Sequence, residues 1–191
     1  MKRRYSLIPA IALGFALTRA TQAQPTALAL ASKGNDYVGI QSKDRIVEIT
    51  SDKSMGSLMP SVWHVVYYDP DSPFRRLEVN FGAGQETDIS HPVLRPFEPP
   101  KTAGEILDKS KLKVDSDQAI NIAAGQALLK PLTLRSARLT LTEGDVGPIW
   151  KVQLWAAKAR NPDHDADVGT VTISATDGSM VKSDLHPNKA D

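Results

Sequence analysis

Apolar and polar residues alternate in distinct blocks along the chain. Val62 to Tyr68 (VWHVVYY) is β-branched and aromatic throughout and predicts a strand. A period of two places Trp63, Val65 and Tyr67 on one face, with His64, Val66 and Tyr68 on the other. Asp69 to Pro73 is a turn cluster, after which Leu77, Val79 and Phe81 alternate with Glu78 and Asn80. These segments predict a hairpin. Arg45 to Thr50 has strand-like composition. Ala27 to Ala31 is either a short helix or the tail of the apolar run before it.

The second half is patterned more clearly. Asp115 and Gln118 have the spacing of a capping box, in which each side chain satisfies the backbone amide at the other position. Ala119, Ile122, Ala123 and Ala127 recur at helical spacing, and Pro131 sets the helix end near Lys130. Three alternating strands follow. They bury Ala137, Leu139 and Leu141; then Trp150, Val152, Leu154 and Ala156; then Val171, Ile173 and Ala175. A long loop, Lys158 to Val168, separates the last two, and Asp177-Gly178 turns the chain back towards Met180 and Val181. The pattern predicts an α+β fold, with a helix packed on one face of an antiparallel sheet. Between the halves, His91 to Pro100 holds four prolines and reads as a semi-rigid linker.

The N-terminus has the signature of a secretory signal peptide over residues 1–23. Lys2, Arg3 and Arg4 precede the apolar run Leu7 to Leu17, and Thr21-Gln22-Ala23 supplies a cleavage site before Gln24. The run is shorter than the roughly 20 apolar residues a bilayer span needs. The expected product is periplasmic or secreted, with no stable membrane span after cleavage. The whole chain has 23 Lys+Arg against 22 Asp+Glu. Removing Lys2, Arg3, Arg4 and Arg19 leaves 19 basic against 22 acidic residues, so the positive balance belongs to the targeting segment. Without a basic stripe, nucleic acid is not an expected partner. With 0 cysteines the chain has no disulfide, thiolate metal site or cysteine nucleophile.

The halves are similar to each other. Pro60-Ser61-Val62-Trp63-His64-Val65 parallels Pro148-Ile149-Trp150-Lys151-Val152, and each tryptophan strand leads through an Asp/Pro turn to a second alternating strand. Either a degenerate tandem duplication or two independent hairpins of one kind accounts for this. The second half also resembles a PepSY-type domain over about residues 112–185. The resemblance rests on Val114-Asp115-Ser116-Asp117-Gln118-Ala119-Ile120 with Ile122-Ala123, on Pro148 to Val152, and on Gly169 to Val181 with its strand, Asp-Gly, strand ending. It implies a PepSY-like (cystatin-like) unit without catalysis of its own, which binds or restrains a peptidase. The expected organisation is residues 1–23 as signal peptide and 24–93 as an N-terminal degenerate β-rich PepSY-like unit. A Pro-rich linker at 94–108 and a C-terminal PepSY-like domain at 109–191 complete it.

Candidate chemistry is sparse. There is no His-Glu-x-x-His and no Gly-x-Ser-x-Gly. Gly82-Ala83-Gly84 lacks the third glycine and the helix of a dinucleotide loop and reads as a turn. Asp163-His164-Asp165-Ala166-Asp167 offers oxygen ligands at alternate positions, but it lacks the glycine and the terminal glutamate of an EF-hand loop. It reads as a solvated loop, and no metal or cofactor is expected. His64 has no acid or nucleophile beside it by local spacing. Trp155 points opposite to Trp150, on the face that carries Lys151 and Gln153. Trp155, Lys151 and Gln153 are therefore the expected binding residues, facing an unknown protein partner for which a peptidase is one candidate. The function expected is an exported, non-enzymatic binding module. The alternatives are a structural protein of the cell envelope and a hydrolase with an unrecognised site.

Overall fold

The computed structural model describes residues 24–72, 74–90 and 100–191. Residues 1–23, expected to be a signal peptide, and residues 91–99 of the expected linker region lie outside the described residues. From Gln24 the chain runs α1 (Ala27–Gly34), β1 (Ile46–Ser51), β2 (Val62–Tyr68), β3 (Arg76–Gly82) and β4 (Gln85–Ser90). After the linker come α2 (Ser116–Ala124), β5 (Leu134–Gly144), β6 (Gly147–Ala157), β7 (Asp165–Ser174) and β8 (Met180–Leu185). The eight strands form one antiparallel sheet in the order β4-β3-β2-β1-β5-β6-β7-β8. The fold is α+β. Each half contributes one helix followed by four strands, and the halves meet where β1 pairs with β5, Ile49 opposite Leu141.

Alternation along the strands determines which face is dry. Trp63, Val65, Tyr67, Val79 and Phe81 in the first half are each at most 1% exposed, as are Leu139, Leu141, Trp150, Val152, Leu154, Val171 and Ile173 in the second. Ala27, Leu30 and Ala31 of α1 and Ala119, Ile120 and Ala123 of α2 join the same core, so both helices lie on this one face. Their small side chains bring the helix axes close to the sheet. Gly34 shows how close: a Cβ there would collide with the Tyr67 hydroxyl, which donates to the Ala31 carbonyl at 2.8 Å. Burial raises the Tyr67 phenol above its ordinary value, so it remains a donor.

The helix N-termini share one acceptor group. The capping box Asp115–Gln118 forms as expected. The Asp115 carboxylate accepts from the Ser116 amide at 2.7 Å and also from the Leu28 amide of α1 at 3.1 Å. The Ser116 hydroxyl oxygen accepts from the buried Ala27 amide at 3.0 Å. Thr26, the N-cap of α1, makes no side-chain cap of its own. The first turn of α1 is thus satisfied by residues about 88 positions further on, which ties the two halves together.

Several expectations need correction. The helix expected over Asp115–Lys130 ends at Ala124. Gly125 closes it, Gln126 turns extended, and a 3-10 turn, Ala127–Leu129, delivers Leu129 into the core at 1% exposure. The three-stranded meander has a fourth strand, β8, and β4 adds an edge to the first half. Both edge strands are largely exposed, so hydrophobic alternation could not mark them. The Lys158–Val168 loop is shorter, because β7 begins at Asp165. Ala27–Gly34 belongs to the folded chain.

Candidate functional site

The face opposite the helices is polar. One register row crosses every strand: Asp88 (β4), Asn80, His64, Thr50, Thr140, Lys151, Thr172 and Lys182 (β8). The two ends of this face differ. Near β1, Glu48 pairs with Lys101 at 3.0 Å, and Lys101 also reaches Glu105 at 3.3 Å. Val66, the strand partner of Glu48, is only 2% exposed there. The later part of the expected linker, from Lys101 to Leu107, therefore covers the sheet at that point, with Leu107 buried and its amide donating to the Ile46 carbonyl at 2.8 Å. Over β5–β8, Arg138, Lys151 and Lys182 are exposed.

The expected binding residues sit on this second part, along β6. Trp150, Val152, Leu154 and Ala156 point inward, which leaves Lys151, Gln153 and Trp155 outward. Lys151 is exposed and has no ion pair among the described residues. Gln153 is half-buried, and its amide donates to Asp167 at 2.7 Å. The other Asp167 oxygen accepts from the Gly169 amide at 2.9 Å, which fixes the carboxylate. Trp155 is half-buried, with the Lys53 ammonium 4.8 Å from its ring centroid. Lys53 is itself held by Asp165 at 3.2 Å, and Asp165 accepts from the Ser136 hydroxyl at 3.3 Å. The patch is thus a braced aromatic ring under a cation, with one free lysine four residues away along the same face of β6. Opposite Leu154 and Trp155, β7 carries one extra residue, Val168, between Asp167 and Gly169.

The same bonds account for the acidic loop. Asp163 and His164 are exposed, while Asp165 and Asp167 are each committed to separate partners. Among the described residues no three His, Asp or Glu side chains are grouped to hold a metal ion.

His64 has partners that local spacing could not show. Its Nδ1 lies 2.6 Å from Asn80 Oδ1 and 3.0 Å from Glu78 Oε1, and its Nε2 lies 3.4 Å from Asp52 Oδ1. The β2–β3 register brings Asn80 directly opposite and Glu78 diagonally adjacent. The Glu78 hydrogen bond outweighs partial burial and pushes the imidazole up to about 9. At neutral pH both ring nitrogens donate, so no lone pair is free to take a proton. The group is a cation pinned between two carboxylates and is unsuited to general-base work.

A concave feature lies elsewhere, where β5 starts and β6 ends. It is a hollow of about 550 Å³ walled by Pro131, Pro162 and Pro187, with Arg135 and Lys158 on its lining.

Neither family models, curated proteins nor solved structures contain a match to this chain.

Proposed function

We propose that this chain is an exported, non-catalytic module that binds a protein partner through the outer face of β5–β8, centred on Trp155, Lys151 and Gln153. The observation that carries the reading is the division of one sheet into two unlike faces. Both helices lie on the inner face, while the outer face of the second half carries a tryptophan braced by Lys53 and, further along the strands, exposed Arg138, Lys151 and Lys182. Ordered side chains at a contact patch lose little freedom on docking, which favours recognition by a rigid surface.

The PepSY resemblance supports this reading and gives the partner a class, a peptidase. A capped helix leading into an antiparallel meander is the arrangement that the resemblance implies. Tandem duplication is part of the proposal. Trp63 lies between Ser51 and Phe81, and Trp150 lies between Leu141 and Ile173, each fully buried in the second strand of its half. The two halves then pack about an approximate two-fold at the β1–β5 seam. The mechanism is steric: the sheet covers its partner. Export rests on residues 1–23.

Immobilised wild-type protein, the double variant Lys151→Glu/Trp155→Ala and the turn variant Val146→Ser test the proposal against an extract of exported proteins. The wild type and Val146→Ser should retain one stoichiometric partner that the double variant loses. Identical recovery by all three baits would remove the patch from consideration.

A further inference from the structure

We infer that the hollow between the start of β5 and the end of β6 is a binding site for an amphiphilic monocarboxylate, separate from the outer face. Its walls are tied to one another by the backbone. Ala157 donates to the Thr133 carbonyl at 2.9 Å, Lys158 to that of His164 at 2.9 Å, and Ala159 to that of Ala190 at 2.7 Å. Leu132 donates to the Leu129 carbonyl at 3.0 Å, which anchors the remaining side. Pro131, Pro162 and Pro187 stiffen three separate segments of the rim. The hollow is therefore formed before any ligand arrives, and its volume of about 550 Å³ suits a small organic molecule.

The lining specifies the ligand class. Prolines, alanines and Leu132 give an apolar bed. Arg135 sits at the β-bulge between Leu134 and Ser136, where the ladder is interrupted. Lys158 follows the last residue of β6. Among the described residues neither cation has an ion pair or a side-chain hydrogen bond. Two unengaged cations beside an apolar bed match a carboxylate head on an apolar body, and a guanidinium can hold both carboxylate oxygens. Asp191 also lines the hollow and brings acidic charge to it. A second carboxylate on the ligand would meet that charge and is disfavoured.

Two sources share this chemistry: an alkyl carboxylate, and the free C-terminus of an apolar peptide. Calorimetric titration of the purified chain with octanoate, and with an acetylated tri-leucine ending in a free carboxylate, distinguishes them. At least one should bind with a Kd at or below about 1 mM. The bound compound's amide, and suberate as a dicarboxylate, should each bind about tenfold more weakly. Arg135→Gln/Lys158→Gln should weaken binding by about tenfold or more, and Ala159→Trp should abolish it by filling the space. Thermal melts check that these surface variants remain folded. The inference is overturned if neither carboxylate binds by about 10 mM, if the amide binds equally well, or if neither the double variant nor Ala159→Trp alters affinity.

Discussion

Single residues hold this molecule together at two polar points. Asp115 accepts from amides at the start of both helices, so Asp115→Ala leaves amides of α1 and α2 short of partners together. Loss of one helix cap costs about 1 kcal/mol, and this substitution should cost about 2 kcal/mol in chemical denaturation. A cost no greater than that of an ordinary surface substitution would show that α1 is capped otherwise. His64 makes a pH-dependent contribution. Its folded value lies above the ordinary histidine value, so the stability it adds is complete below about pH 6.5 and is lost as pH rises through about 9. The stability difference between wild type and His64→Gln should be on the order of 1 kcal/mol at pH 6 and should vanish by about pH 10. A difference that stays flat across this range would contradict the pairing with Glu78 and Asp52. Neither role was wholly legible in the sequence. The capping box of Asp115 follows from spacing of three residues, whereas its bond to Leu28, and the partners of His64, depend on tertiary contact and strand register.

At the scale of elements, legibility followed burial. The strands with one dry face, β2 and β6, carry alternation strong enough to read directly. The edge strands β4 and β8 are wet on both faces and leave only turn signals, at Ala83-Gly84 and Asp177-Gly178. Charges along such edges, half-buried Glu86 and exposed Asp88 on one and exposed Lys182 and Asp184 on the other, oppose pairing with further strands. β8 is held in place through a close approach. Gly169 has φ +115, and a Cβ there would collide with the Asp184 carbonyl oxygen. Gly169→Ala should therefore detach β8 before the rest unfolds. Hydrogen exchange should accelerate at β8 amides, with β5 and β6 unchanged and a global cost of roughly 2 kcal/mol. Unchanged protection along β8 would mean that the strand tolerates the displacement.

On the scale of the whole molecule, the sheet joins two halves that sequence alone set on either side of a proline-rich segment. Their junction combines the β1–β5 ladder with the shared helix caps. The candidate patch was partly legible. Alternation put Trp155, Lys151 and Gln153 on one face, while the bracing by Lys53, Asp165 and Asp167 comes from contacts across strands. The central claim is that this outer face docks a partner. Lysine acetylation footprinting of the chain, alone and mixed with the exported-protein fraction, reads that face directly. The account predicts that Lys151 loses reactivity in the mixture while Lys158, at the hollow, keeps its own. Equal labelling of Lys151 in both samples would contradict it.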